Sequence, residues 1–382
     1  MSTTLLAVRG LFNDKNNDSN STSKHVCPSE DTSGPDIVNL VGNLTYHEIA
    51  TIVSGACGVL SFIIIGALVG THAFNYSNPV QQRQTIRIAL LVPWVSLFSF
   101  LIVWLDGVGE YLELSLDFGC AIALSAFLLF MCDLVLSHPG GFDDLFGAGA
   151  QTTPAARDKK SPMSIKRTWY GVLQFIPTSM ILWIATAASL AAGTYCKSSN
   201  NIHFAHIWIT VLKIIFPTIA ILACLKFHKQ HKEKLQQHKI LLKLFAFKGI
   251  IGLNVLQTFI ISILASHDVL EPSKYMTYHD IDIGLASLIL ACEMPLFAIL
   301  IFVAFSAKPY SKNGPAAGPL SAIVDAFNIT DLLSAFVRGP MRLVRDQQRQ
   351  ILRQASMKVG MEAHMSDDEE QRYQGAQMHT RV

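Results

Sequence analysis

The chain is 382 residues long, 15% charged and 51% hydrophobic, with a formal net charge of +2. A soluble domain of this size carries roughly a quarter charged residues, so the composition excludes an ordinary water-soluble globule, and no nucleic-acid partner is expected. The sequence holds no phosphate-cradling glycine loop, zinc-helix motif or serine elbow, so neither an enzyme nor a cofactor or metal site is expected.

Lipid is the expected solvent. No ten-residue alternation of barrel type recurs, which leaves the helix as the spanning element and makes the fold class an all-α polytopic membrane protein. Residues 1–46 read as a polar extracytoplasmic tail. Met1 to Phe12 is only mildly apolar and leads into an Asn/Ser/Asp tract rather than a cleavage site, so the first span is expected to insert itself. Asn17, Asn20 and Asn43 begin glycosylation sequons in this tail. The membrane domain, 47–307, holds seven windows of bilayer length: 49–71, 86–105, 114–136, 168–193, 204–227, 240–265 and 281–305.

Lys and Arg in the short loops set the orientation. The first, third and fifth loops carry Arg83 and Arg87, then Arg157, Lys159, Lys160, Lys166 and Arg167, then a lysine run from Lys226 to Lys243. The second, fourth and sixth offer only Lys197 and Lys274. The odd loops and the carboxyl terminus are therefore expected in the cytosol and the amino terminus outside. On that outer side lie only Cys27 and Cys196 of the seven cysteines, and they are a candidate disulfide. Cys57, Cys120, Cys132, Cys224 and Cys292 fall within spans, where small apolar packing explains them. His228, His231 and His238 interleave with lysines in the fifth loop and read as a solvated basic surface facing anionic lipid rather than a metal site.

Ionisable side chains inside a span cost about 2.5 to 3.5 kcal/mol on insertion scales and are functional candidates for that reason. Lys213 and Glu293 lie at similar depth in spans five and seven, so an ion pair between them is expected, serving either helix register or solute contact. Lys248, with Asn254 and Gln257 on the same helix face, adds to a candidate path, although snorkelling and helix-to-helix hydrogen bonds explain these residues equally well. Pro93, Pro177, Pro217 and Pro295 are expected to kink spans two, four, five and seven. A seven-helix receptor finds no support at the end of span three, where Cys132-Asp133-Leu134 stands instead of an acidic-Arg-aromatic triplet.

The tail, 308–382, opens with a Gly/Pro linker and continues into apolar residues at helical spacing, which predicts an amphipathic helix over 320–337. Its candidate partner-docking face includes Ile323, Phe327, Asp331, Leu332 and Phe336. Gly339-Pro340 ends it, a second helix carries Arg342, Arg345, Arg349 and Arg353, and the acidic end reads as disordered.

The segment from His72 to Pro93, with His72, Tyr76, Pro79, Gln82, Arg83, Arg87, Val92 and Pro93, resembles the first loop of the organic solute transporter alpha / transmembrane protein 184 family. Further resemblance lies in Gly140-Gly141, Lys166-Arg167 with Gly171 to Gln174, the Lys243, Lys248 and Gln257 spacing, Cys292-Glu293-Met294, and Asn328 to Leu332. The chain departs from that pattern at Gly119-Cys120-Ala121, which lacks the family's acid, at Ile214 and Phe216, and at Lys213. The resemblance implies a seven-span protein related to facilitated carriers of steroid conjugates and bile acids, working with a small single-span subunit in plasma, endosomal or vacuolar membranes. Two roles follow as expectations: a carrier of amphipathic solutes, or a scaffold that recruits a cytosolic protein through its tail helix.

Overall fold

The computed structural model describes residues 35–340 except 106, 139–140, 142–144, 146–161, 197–201, 237–239, 267–269, 271, 312–317 and 329. Asn17, Asn20, Cys27, Gly140 and the tail beyond Pro340 lie outside the described residues, and Asn43 sits exposed in the tight turn between Val41 and Leu44. All regular structure among the described residues is helical, and seven helical segments are long and apolar enough to cross a membrane. The chain is an all-α polytopic membrane protein. Its first compact unit is residues 1–332; a second starts at Leu333.

Helix α1 (Tyr46–Phe74) starts on a capping box, in which Thr45 Oγ1 accepts from Glu48 N and the Glu48 carboxylate accepts from Thr45 N. Its 29 residues span about 43 Å at 1.5 Å per residue, more than the roughly 30 Å of hydrocarbon, so both ends reach the interfaces. The second span is two helices, α2 (Pro79–Ala89) and α3 (Leu91–Trp104), and the fourth is likewise α5 (Pro162–Leu173) and α6 (Phe175–Ala191). Each break follows from a proline. Pro93 and Pro177 lack the N–H that would bond Ala89 and Leu173, the residues at which α2 and α5 end, and their rings crowd those same carbonyls. Pro217 and Pro295, expected to act alike, sit inside continuous helices, α7 (Ala205–Gln230) and α9 (Leu285–Ala304). Thr218, beside Pro217, donates its Oγ1–H to Ile214 O at 2.7 Å, one residue past the Lys213 carbonyl that the proline frees. One turn of π-helix, Asp280–Gly284, leads into α9.

Helix α4 (Gly109–Leu136) is the centre of the bundle and packs against α2, α3 and α6. α1 packs between α3 and α9, α8 (Ile240–Ser266) lies on α9, and α7 lies on α5 and α6 with most of its apolar surface outward. Exposure of Ile214, Ile219 and Leu222 on α7 is what a lipid-facing helix requires. Gly193, at φ +68°, ends α6 with Thr194 N donating back to Ser189 O, and so turns the chain out toward Tyr195 and Cys196.

The tail differs from expectation. In place of one helix over 320–337 stand α10 (Pro319–Phe327) and α11 (Thr330–Arg338), because Asn328 accepts from Thr330 N and Thr330 Oγ1 and restarts the helix there. Ile323 and Phe327 are exposed on α10, but Asp331 and Leu332 are buried and do not belong to a free docking face. Phe336 belongs to the second unit and is half-buried.

Gly119, the first residue of the departure in span three, is where the Trp94 indole lies flat on α4. A Cβ there would come within 2.4 Å of the indole, which Ser115 O holds in place through Trp94 Nε1–H at 2.8 Å. Gly119→Ala should therefore cost about 1–3 kcal/mol by overpacking. The check is a lower midpoint of thermal unfolding in detergent, against Gly252→Ala, where the added methyl meets nothing.

Candidate functional site

The two ends of the bundle are distinguished here by their loops, odd-numbered at one end and even-numbered at the other. At the odd end, the loop after α1 is built from buried polar groups. Gln82 is fully buried; its Nε2 donates to Asn75 O at 2.8 Å and His72 O at 3.3 Å, while its Oε1 accepts from Asn78 N at 2.8 Å. These bonds satisfy the carbonyls that α1 leaves unpaired at its end. His72 Nε2 meets Phe305 O at 2.8 Å and its Nδ1 lies 3.4 Å from Gln82 Nε2, so the partners assign the neutral Nε2–H tautomer. Tyr76, fully buried against Ala73 and Ala322, donates to Asp325 Oδ2 and Pro79 O. Burial, followed by the Asp325 charge, pushes its phenol well above the usual range.

Arg87 completes this latch. Its Nη1 and Nη2 clasp Asp331 Oδ2 and Oδ1 at 2.9 and 2.7 Å; Nε donates to Ala326 O at 2.9 Å, and Nη2 also to Asp325 O and Asn328 O. Gln84 Oε1 accepts from Nη1 at 3.1 Å. Arg83 Nε stands 3.3 Å from Asp331 Oδ2 as a second cation. The guanidinium thus binds one carboxylate bidentately and caps the carbonyl end of α10, where a helix carries partial negative charge. The first-loop residues and the Asn328 to Leu332 motif, 250 residues apart in the resemblance, are two halves of one contact. Pro93 sits at the α2/α3 break. Gln174 sits at the α5/α6 break, its Nε2 donating to Gly171 O and, at 3.3 Å, to Phe216 O of α7.

Deeper in the bundle, the expected Lys213 to Glu293 pair is not formed. Lys213 Nζ lies 2.7 Å from Glu113 Oε1 and 3.9 Å from Asp117 Oδ2, both on α4. Glu293 instead accepts a hydrogen bond from Gln257 Nε2. Glu113 escaped the sequence reading because span three was begun at Leu114, whereas α4 starts at Gly109; its spacing of four from Asp117, one helical turn, was the available signal. Lys248 Nζ reaches Cys120 Sγ at 3.6 Å, and Asn254 lies half-buried on α8 one turn before Gln257. Near the even end, burial followed by the Glu113 charge pushes the Tyr195 phenol up to about 12. A cavity of about 10 Å³ beside Lys213 and Asp117 has room for about one water. Cys196 is buried and disulfide-bonded, and the other described cysteines are free.

The family model for the organic solute transporter Ostalpha matches residues 50–310. The chain belongs to this family. It is a family of transporter-type membrane proteins rather than of enzymes. A Dictyostelium discoideum transmembrane protein 184 homolog is 24% identical over 259 residues, 65% of this chain and 51% of that protein. A vacuole membrane protein of Schizosaccharomyces pombe is 25% identical over 251 residues, covering 63% and 57%. The chain spans a little over half the length of these relatives. No solved structure matches. The Ostalpha match ends at Tyr310, so Asp331 and the tail half of the latch lie beyond it.

Lys213→Met would take from Glu113 and Asp117, one turn apart on α4, the ammonium that stands 2.7 and 3.9 Å from their oxygens. The thermal unfolding midpoint should fall, and adding Glu113→Gln to that variant should restore part of the loss; an unchanged midpoint in Lys213→Met would show that the triad contributes nothing to the fold.

Proposed function

We propose that the chain is a facilitated carrier of amphipathic, steroid- or lipid-like organic solutes in a vacuolar or endosomal membrane. The observation that carries this reading is the set of polar groups that α4, α7, α8 and α9 turn toward one another at mid-bundle. Membership of the Ostalpha family and the name of the Schizosaccharomyces pombe relative support the role and the membrane, respectively. Among these groups Lys248 is the most available cation, because its thiol partner is a weak acceptor. An anionic solute gains more there than at Lys213, which already has two carboxylates. Gln257 and Glu293 then offer one donor and one acceptor to hydroxyl groups of the solute.

The loop lysines and arginines support a cytosolic carboxyl terminus and a lumenal amino terminus. In that orientation Cys196 faces an oxidising compartment, and we assign Cys27 as its partner, with Asn17, Asn20 and Asn43 as glycan acceptors. A small single-span subunit is the companion the family resemblance implies.

A second reading, a scaffold that recruits a cytosolic protein, is favoured by one observation: Leu320, Val324 and Phe327 of α10 are 78%, 66% and 65% exposed although the latch holds the helix in place. A helix so presented suits groove docking or the membrane surface.

Uptake of a radiolabelled steroid sulfate by vesicles from cells expressing the chain separates the two readings. The carrier predicts uptake above that of empty-host vesicles and a several-fold loss in Lys248→Met at equal expression. Equal uptake by all three vesicle preparations rejects the carrier.

A further inference from the structure

At the odd end, five segments converge on a cavity of about 280 Å³: the ends of α1, α4 and α9 and the starts of α2 and α8. Its wall includes His72, Asn78, Gln81, Lys243 and Tyr310. We propose that this cavity binds the phosphate headgroup of an anionic membrane lipid.

Charge is the first argument. Among the described residues, Lys243 is the one lysine or arginine in the cavity lining, and no carboxylate lines the cavity with it. The Asp133 carboxylate is engaged by Gln81 and is not part of the wall. The Lys243 ammonium faces the rings of Phe130 and Phe305, 4.8 and 5.3 Å from their centroids. Such contacts attract a cation but accept none of its three N–H bonds. His72 adds no charge, since both its ring nitrogens are taken by neutral partners. A half-buried cation opening on a polar void, with its hydrogen-bond capacity unspent, is an environment that an anion completes.

Size and position choose the anion. A volume of about 280 Å³ falls just below the roughly 300–1,000 Å³ of pockets that enclose a whole drug-sized ligand, so a headgroup fits and a steroid does not. Lys243 stands in the first turn of α8, and His72 in the last turn of α1, which places the cavity at the bilayer interface. The site is separate from the carrier path proposed above and does not depend on it.

Thermal unfolding of the purified full chain in an uncharged detergent tests the proposal with three probes: dioctanoyl phosphatidic acid, dioctanoyl phosphatidylcholine and inorganic phosphate. Phosphatidic acid should raise the midpoint of the wild type, of Lys243→Arg and of Lys232→Gln, an exposed lysine of the adjoining loop. Lys243→Gln should need about tenfold more of it, equivalent to roughly 1.4 kcal/mol. An identical response of Lys243→Gln and wild type, or equal stabilisation by phosphatidylcholine, overturns the proposal. Stabilisation by inorganic phosphate alone, matching that by phosphatidic acid, overturns the lipid assignment in favour of a free anion.

Discussion

The clasp of Asp331 by Arg87 is the contact on which the odd end of the bundle depends. Taking a guanidinium and a carboxylate out of water costs several kcal/mol per ion, and the two side chains are only 2% and 10% exposed. The cost is offset because the guanidinium's nitrogens all donate, and four of the acceptors, Asp331 and the carbonyls of Asp325, Ala326 and Asn328, belong to one short stretch of the tail. Arg83 adds a second positive charge at the same carboxylate. A segment that the sequence places after a Gly/Pro linker is in this way fixed to the helix that begins the second span. Tyr76 and Ala322 repeat the connection one layer away.

This arrangement divides the polar residues of the chain by role. Of the residues that carry the family resemblance most densely, His72, Tyr76, Gln82 and Arg87 spend their hydrogen bonds on closing the loop and holding the tail, and Arg83 adds only its charge. The groups that the proposed carrier would use lie deeper, on α4, α7, α8 and α9, where Lys248 meets only a weak thiol acceptor and Gln257 Oε1 and Glu293 Oε2 are buried without a hydrogen bond. At Gly119 the Trp94 indole fills the space that a side chain would take and joins an aromatic cluster with Phe98, Phe118 and Trp183, which packs α3, α4 and α6 together.

The spans were legible in the sequence because bilayer thickness imposes a length that apolar runs report directly. Their internal breaks were legible only in part: all four prolines carry the same local instruction, but Pro93 and Pro177 interrupt their helices while Pro217 and Pro295 do not, and the local sequence does not distinguish the two cases. Depth along two helices says nothing of which faces meet, so it does not reveal that Lys213 pairs with Glu113 of α4 rather than with Glu293. The tail was read as one helix since apolar spacing continues through Asn328; capping by that side chain breaks it without altering the pattern. An acid on an amphipathic helix normally marks solvent, so the pattern places Asp331 on the exposed face, whereas the structure buries it. Nothing in the sequence shows that a buried arginine from the first loop waits for it.

A double-mutant cycle of Arg87→Met and Asp331→Leu, read as unfolding free energy in detergent, tests this account most directly. The clasp predicts that each single change destabilises by about 3–5 kcal/mol, because each removes one partner of a buried ion pair, and that the pair together recovers a coupling of roughly 2 kcal/mol or more. Additivity within about 0.5 kcal/mol, the behaviour of independent sites, would contradict it.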